Sequence, residues 1–512
     1  MRRAAAVAVI ACLAIVAIVV SSSRSPETYP WGDTATTSIY TLRASQGELQ
    51  TGAYSRFFWN HPGPLLYQLL APLYRLTGYR EVSIKWTALL INLAAIAAML
   101  AVVARRRPSL AVAVAIAIVP LVYREQRLLF WAWNPIITTL PLALAIALAA
   151  DIGAGRLGVL PVLVFVGSFI VQAHVGFVPV LGVIVVVTGV LLLTNLRRGA
   201  MTLNSADVWR NVGLSAVVFV AAWAVPLVHE IRTRPGNLAT IARFFIDRAD
   251  DPQPWHSTLA VFVNQLAGAF DRRWELTTAE ASEVASWPIV AFAAVILIGL
   301  VATIWRAWRR RDAFQSSVAT LCFSSALVGI VAIRSIVGPI SDYLVLWIPL
   351  IGALSIATIT SELVVGRQSR ATPLRWQAGF AVYLAALAFL GGARLISKQA
   401  ADARSTIVPM FTRYIDGYAQ THRIAKPVLR FSKPGWEVAV GVVLDFYKHG
   451  KPIAVADDGV YLVGETFRAE PRVDGEFYLM MQDDSALPAG TARHEWIATA
   501  AGFRLVRLFR AP

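Results

Sequence analysis

The chain has 512 residues, 57% of them hydrophobic and 15% charged, with a mean hydropathy of +0.58. This is more apolar surface than soluble domains bury, so an ordinary soluble protein is excluded and lipid must cover part of the chain. The net charge of +16 would suit a nucleic-acid partner, but in a membrane protein basic residues hold cytoplasmic loops inside, and no nucleic acid is expected. Cys12 and Cys322 both lie in apolar runs, which leaves neither a disulfide framework nor a thiolate metal site.

The N-terminus reads Met1-Arg2-Arg3 and then runs apolar to Val20 without a small-x-small cleavage site, so an uncleaved first anchor is expected. A span needs about 20 apolar residues to cross about 30 Å of hydrocarbon. Candidate spans fall at 4–20, 84–104, 109–122, 136–150, 157–171, 175–194, 208–226, 288–305, 313–333, 343–361 and 377–395. The pair at 109–122 and 136–150 is short and shares the polar link Tyr123-Arg124-Glu125-Gln126-Arg127, which leaves a hairpin that fails to cross fully as an alternative. Every second loop is basic: Arg2-Arg3, Arg105-Arg106-Arg107, Arg156, Arg197-Arg198, Arg309-Arg310-Arg311, then Arg367 and Arg370. These loops are therefore expected in the cytoplasm, which puts the long loops 21–83 and 227–287 and the C-terminus outside. The fold class is an α-helical polytopic inner-membrane protein of about eleven spans over 1–395.

From Ser397 the apolar runs stop. Short β-rich pieces at 427–431, 452–455 and 476–480 alternate with helix-like stretches at 405–422 and 436–448, which predicts a small extracytoplasmic α/β domain over 396–512. Its acidic pairs Asp457-Asp458 and Asp483-Asp484 read as solvated loops.

The first outer loop is the richest in chemistry. Trp31-Gly32-Asp33 leads into an amphipathic stretch from Thr34 to Gln46, then Ser55-Arg56-Phe57-Phe58-Trp59-Asn60-His61-Pro62-Gly63-Pro64, then Leu65 to Leu76. Two helices lying on the outer membrane surface satisfy this pattern. An acidic residue just outside a first span, two surface helices and a many-span body resemble the GT-C glycosyltransferases of actinobacterial type, which use a lipid-phosphate sugar donor. Gln172-Ala173-His174-Val175-Gly176 and Pro235-Gly236-Asn237-Leu238 carry the same resemblance over about residues 1–395. The family often shows an acidic pair at this place, whereas Gly32-Asp33 supplies one carboxylate, so a divalent metal stays undetermined. No nucleotide or redox cofactor is expected.

The resemblance implies an inverting transfer of sugar from a polyprenyl-phosphate donor to a cell-envelope glycan or glycolipid. A phosphate leaving group needs no general acid, so one carboxylate suffices, and Asp33 is the candidate base, with a helix N-cap as its competing role. Charge on the departing phosphate calls for outer cations, and Arg56, Arg124, Arg127 and Arg334 lie on that side. Asn60 and His61 are candidates to face the donor, or to form an interfacial turn. Glu125 reads equally as an ion pair with its flanking arginines. Gln172 and His174 interrupt an apolar run, and His229-Glu230 follows a span end, as substrate-binding candidates. A transporter or flippase for a lipid-linked glycan, and a non-catalytic envelope scaffold, are the alternatives. Charges are sparse at mid-span, which disfavours transport.

Overall fold

The computed structural model describes residues 21–22, 27–199, 203–248, 252–271, 283–364, 373–398, 406–470 and 475–510. The expected anchor at 4–20, with Arg2, Arg3 and Cys12, and the loop arginines Arg367 and Arg370 lie outside the described residues.

Every other expected span falls on a helix. Seven described helices are long and apolar enough to cross a bilayer: Glu81–Arg106, Asn134–Gly153, Val175–Arg197, Ser205–Arg232, Trp287–Arg309, Ala313–Arg334 and Asp342–Val364. Pro108–Arg124, Leu157–Ala173 and Ala378–Ala393 are shorter apolar helices. The chain is a multi-pass membrane protein. Several of these helices start with proline in their first turn, as at Pro108, Pro161, Pro179 and Pro288, where the missing N–H has no helical partner to lose. Thr139–Gly153 is buried on every side, as a helix apolar all round must be, while Ser205–Arg232 and Trp287–Arg309 turn most of their surface outward. Of the pair at 109–122 and 136–150, the second lies on a helix long enough to cross and the first on a shorter one. Pro108–Arg124 packs along Trp347–Val364, and its last residue reaches the Gly268 carbonyl at 3.1 Å.

All the described arginine-rich loops gather at one end of this bundle. Asp151, with a fully buried side chain, accepts from Arg106 at 2.6 Å and lies 3.6 Å from Arg156. Glu362, 2% exposed, takes Arg310 at 2.6 Å and lies 3.6 and 3.7 Å from Arg107 and Arg306. Arg107 also pairs with Asp312. These ion pairs tie together the ends of five helices.

The two expected surface helices exist; the second keeps Gln68, Pro72, Arg75 and Leu76 exposed, whereas the first is enclosed. The helix α1 (Gly32–Ser45) is buried from Ala35 to Arg43 between α2 (Leu65–Leu76) and the C-terminal domain. That domain has a five-stranded sheet of order β2-β1-β3-β5-β4: β1 (Val428–Phe431), β2 (Ala454–Val455), β3 (Glu476–Met481), β4 (Thr491–Ala500) and β5 (Phe503–Arg510). β1 pairs in parallel with β2 and β3, whereas β5 is antiparallel to β3 and β4. One of its helices, α3 (Trp436–Lys448), lies against α1. Lys448 bonds buried Glu81 at 3.2 Å, and Glu81 also accepts from Ser38 and Tyr74. Arg43 donates to the Val463 carbonyl and to Thr466. The acidic residues Asp457 and Asp458 are exposed, as expected of solvated loops, and pair at the surface with Arg468 and Arg430.

Candidate active site

Residues 52–61 form a tight hairpin. The Gly52 amide donates to His61 and the His61 amide to Ala53, the Ser55 amide donates to Trp59, and Phe58 turns the tip at φ +63°. Its Tyr54, Arg56, Trp59 and His61 line a cavity of about 630 Å³. Asn60 is the pin of this hairpin: its amide donates to Asn237, whose side chain donates back to the Asn60 carbonyl, and its own side chain bonds Thr51.

Asp33 enters the same cavity from α1. Gly32 takes φ +55°, a conformation that costs glycine little, and α1 begins there. Trp31 therefore holds the N-cap position and Asp33 lies inside the first turn, so the cap role expected for Asp33 is not realised. Its carboxylate instead accepts the Tyr54 hydroxyl at 2.7 Å. Burial, opposed by that hydrogen bond and assisted by the negative charge of Glu437, pushes Asp33 up to about 6. Asp33 is consequently ionised at neutral pH but close enough to it to take and return a proton.

His61 and His174 lie beside each other on the cavity wall, ring centroids 4.5 Å apart. His61 Nδ1 accepts the Val175 amide at 3.1 Å, and His174 Nδ1 accepts the Gly176 amide at 3.2 Å. Both acceptors are thus occupied, which places each neutral ring's proton on Nε2. Burial holds both below the usual histidine range, His174 at about 4. Neutral N–H donors, not bases, are what these residues offer. Trp59 adds another: its indole N–H is buried on the wall with no partner among the described residues. Arg56, exposed at the rim, donates to the Val337 carbonyl at 2.8 Å and keeps its other guanidinium donors for a ligand.

Apolar side chains complete the lining, with Phe244 and Phe245 packed against Trp59. Phe244 and Phe245 come from the helix Asn237–Asp247, Trp223 from Ser205–Arg232 and Val178 from Val178–Arg197. Phe245 and Val178 are themselves partly exposed.

No family model matches the sequence, and no curated protein matches it. Among solved structures, the chain is similar to ArnT. The crystal structure of ArnT from Cupriavidus metallidurans bound to undecaprenyl phosphate is 13% identical, with 98% of this chain and 97% of that chain covered and a TM-score of 0.47. The apo state of ArnT gives the same identity and TM-score over 99% of this chain and 98% of that one.

The remaining candidates do not line the cavity. Arg124 binds the Gly268 and Asp271 carbonyls. Glu125 is buried and forked by Arg127 at 2.5 and 2.6 Å. Gln172 is a clamp, donating to the Ala222 carbonyl at 2.8 Å and accepting the Leu65 amide, and any side chain at Gly63 would collide with it. Glu230 accepts the amides of Leu238 and Ala239 and so caps Asn237–Asp247 from a neighbouring helix. His229 precedes it, half-buried, away from the cavity. Arg334 donates to the Gln253 carbonyl at 2.7 Å and lies over Trp255. Sequence reasoning missed Tyr54, Trp59 and Tyr343, and missed Trp436, Glu437 and Tyr461 from the C-terminal domain. Trp436 and Tyr461 meet the Tyr54 ring edge-on at 6.4 and 5.9 Å. Among the described residues, no three His, Cys, Asp or Glu side chains gather to hold a metal ion.

Proposed function

We propose that this cavity transfers a sugar from a polyprenyl-phosphate donor to a hydroxyl of a cell-envelope glycan or glycolipid. The observation that carries the reading is the placement of Asp33: one carboxylate, its pKa pushed up to about 6, in a cavity whose lining combines N–H donors with apolar side chains. The apolar side chains suit the polyprenyl chain, and Arg56, Trp59 and the two histidines suit the phosphate and the sugar. Asp33 removes the proton of the acceptor hydroxyl as its oxygen bonds the anomeric carbon from the face opposite the phosphate. The sugar–phosphate C–O bond breaks with its electron pair going to the phosphate, so configuration inverts and polyprenyl phosphate leaves. The donors on the wall stabilise the charge that develops there. The direct test supplies purified protein with polyprenyl-phosphate pentoses and hexoses and an envelope acceptor. Transfer of none of them, in protein that binds the donors, would overturn the reading.

The ionisation of Asp33 gives the reaction a pH signature. The active form is the carboxylate, so kcat/KM should be level above pH 7 and fall about tenfold per unit well below pH 6. Tyr54→Phe removes the hydrogen bond that lowers Asp33 and should move the acid limb to higher pH, whereas Glu437→Gln removes a charge that raises it and should move the limb lower. A limb that neither substitution moves would assign the titration to another group.

We also infer that the cavity and the domain over 396–512 face the extracytoplasmic side. The arginine-rich loops gather at the opposite end of the bundle, and basic loops are retained in the cytoplasm. A reporter fused after Pro512 should be active only if it works outside the cell. Activity of a cytoplasm-only reporter would reverse the orientation.

A further inference from the structure

A second pocket lies at the end of the bundle opposite the cavity. Val178 lines the cavity, and the helix Val178–Arg197 runs from it to the second pocket, which places the two about 30 Å apart. The pocket, about 220 Å³, is formed by the ends of Val178–Arg197 and Trp287–Arg309 with the first turn of Ala313–Arg334, on which both helices pack. Asn195, Arg198, Trp308, Arg311 and Ser316 line it.

The carboxylates at this end of the bundle pair with arginines outside the pocket. Asp151 is taken by Arg106 and Arg156, Asp312 by Arg107, Glu362 by Arg107, Arg306 and Arg310, and Asp207 by Arg210. Arg198 and Arg311 have no carboxylate partner among the described residues, and the undescribed stretches 200–202 and 365–372 contain no acidic residue. Arg198 lies flat over the Trp308 ring at 3.9 Å. Arg311 takes φ +58°, so a guanidinium occupies a position that glycine would fill with less strain. Two guanidiniums without a carboxylate partner among the described residues thus line one pocket, beside the N-terminus of a helix that Asp312 caps.

We propose that this pocket binds the phosphodiester headgroup of an anionic membrane phospholipid. Free phosphate would meet the same charges, but the surroundings favour a lipid. Trp305 and Trp308 are exposed beside the pocket, as tryptophans are at a membrane interface. Leading away from it, Val190 and Leu193 on one wall helix and Ile298 and Val301 on the other are exposed apolar side chains, placed to meet acyl chains. Basic pockets between spanning helices hold anionic headgroups by this combination. The site is independent of the transfer reaction.

The test measures the rise in thermal midpoint of the full-length protein in detergent on titration with dioleoyl phosphatidylglycerol, dioleoyl phosphatidylcholine, or inorganic phosphate. The phosphatidylglycerol should stabilise at the lowest concentration, and R198Q and R311Q should each weaken its effect about fivefold. R198K/R311K should keep most of the effect. R309Q, which removes a charge that lies over Trp305 and does not line the pocket, should leave it unchanged. Equal stabilisation by phosphatidylcholine, or by phosphate alone, would overturn the lipid assignment. An R198Q/R311Q protein that retains the wild-type response, or an R309Q protein that loses as much, would overturn the site.

Discussion

Replacing Asp33 by asparagine is expected to lower sugar transfer by about two to four orders of magnitude, the usual loss when a general base is removed. Asparagine keeps the size of the side chain and an oxygen that can accept the Tyr54 hydroxyl, so the hairpin should stay in place. Asp33 does not cap α1, and its loss from the first turn costs only the helix-dipole attraction, about 0.3–1 kcal/mol. Donor binding should survive, because Arg56, Trp59, His61 and His174 are untouched. The measurement is single-turnover transfer by purified protein, with donor affinity determined in parallel. Near-normal turnover in Asp33→Asn would sink the assignment of Asp33 as base. Glu437, the other carboxylate whose charge acts on this place, would then be the next substitution.

Glu362→Gln should cost about 3–5 kcal/mol of stability, the range for removing one partner of a buried ion pair. Glu362 lies 2% exposed among Arg107, Arg306 and Arg310, and Arg107 is itself 7% exposed. Glutamine keeps the shape but leaves Arg107 with Asp312 alone and takes from Arg306 and Arg310 the carboxylate they share. The change would appear as a lower thermal midpoint and poorer yield, with turnover per folded molecule retained, because this end lies about 30 Å from the cavity. Asp207→Asn is the control. Its pair with Arg210 is open to solvent and should be worth less than about 1 kcal/mol. Equal effects of the two substitutions would mean that the buried network does not hold the helix ends together.

Much of the body was legible because hydropathy and proline placement act locally. Each span outside the undescribed N-terminus falls on a helix, and the alternation of basic loops correctly groups the ends that meet at Asp151 and Glu362. Those two carboxylates themselves were not singled out, since a lone acid near the edge of an apolar run has no signature until its arginine partners are placed beside it. Asp33, Arg56, His61 and His174 were picked out, and they share one cavity. Gln172 and Glu230 were picked out too, but each turns out to satisfy backbone amides and carbonyls at a packed junction, where burial demands a partner. The helix start at Gly32 could not be read, because Asp33 is as good a cap residue as a first-turn residue and only the positive φ of Gly32 decides. In the C-terminal domain, β4 and β5 escaped notice. Arg493, His494 and Glu495 hide the alternation, and the Ala501-Gly502 turn between them, with both φ positive, is a weak hairpin signal.

The contact of α3 with α1 ties the state of Asp33 to the order in which the chain is made. Gly32, Asp33 and the 52–61 hairpin are among the first residues synthesised, yet Trp436, Glu437 and Tyr461, which pack on Tyr54 or act on Asp33, emerge some 400 residues later. Domains fold as they appear, N-terminal first. A chain interrupted before α3 holds the carboxylate but lacks the Glu437 charge that acts on it and the rings that meet Tyr54, so its Asp33 should titrate lower than in the finished protein. On the proposal that Asp33 is the base, partly made chains already lodged in the membrane should transfer sugar poorly.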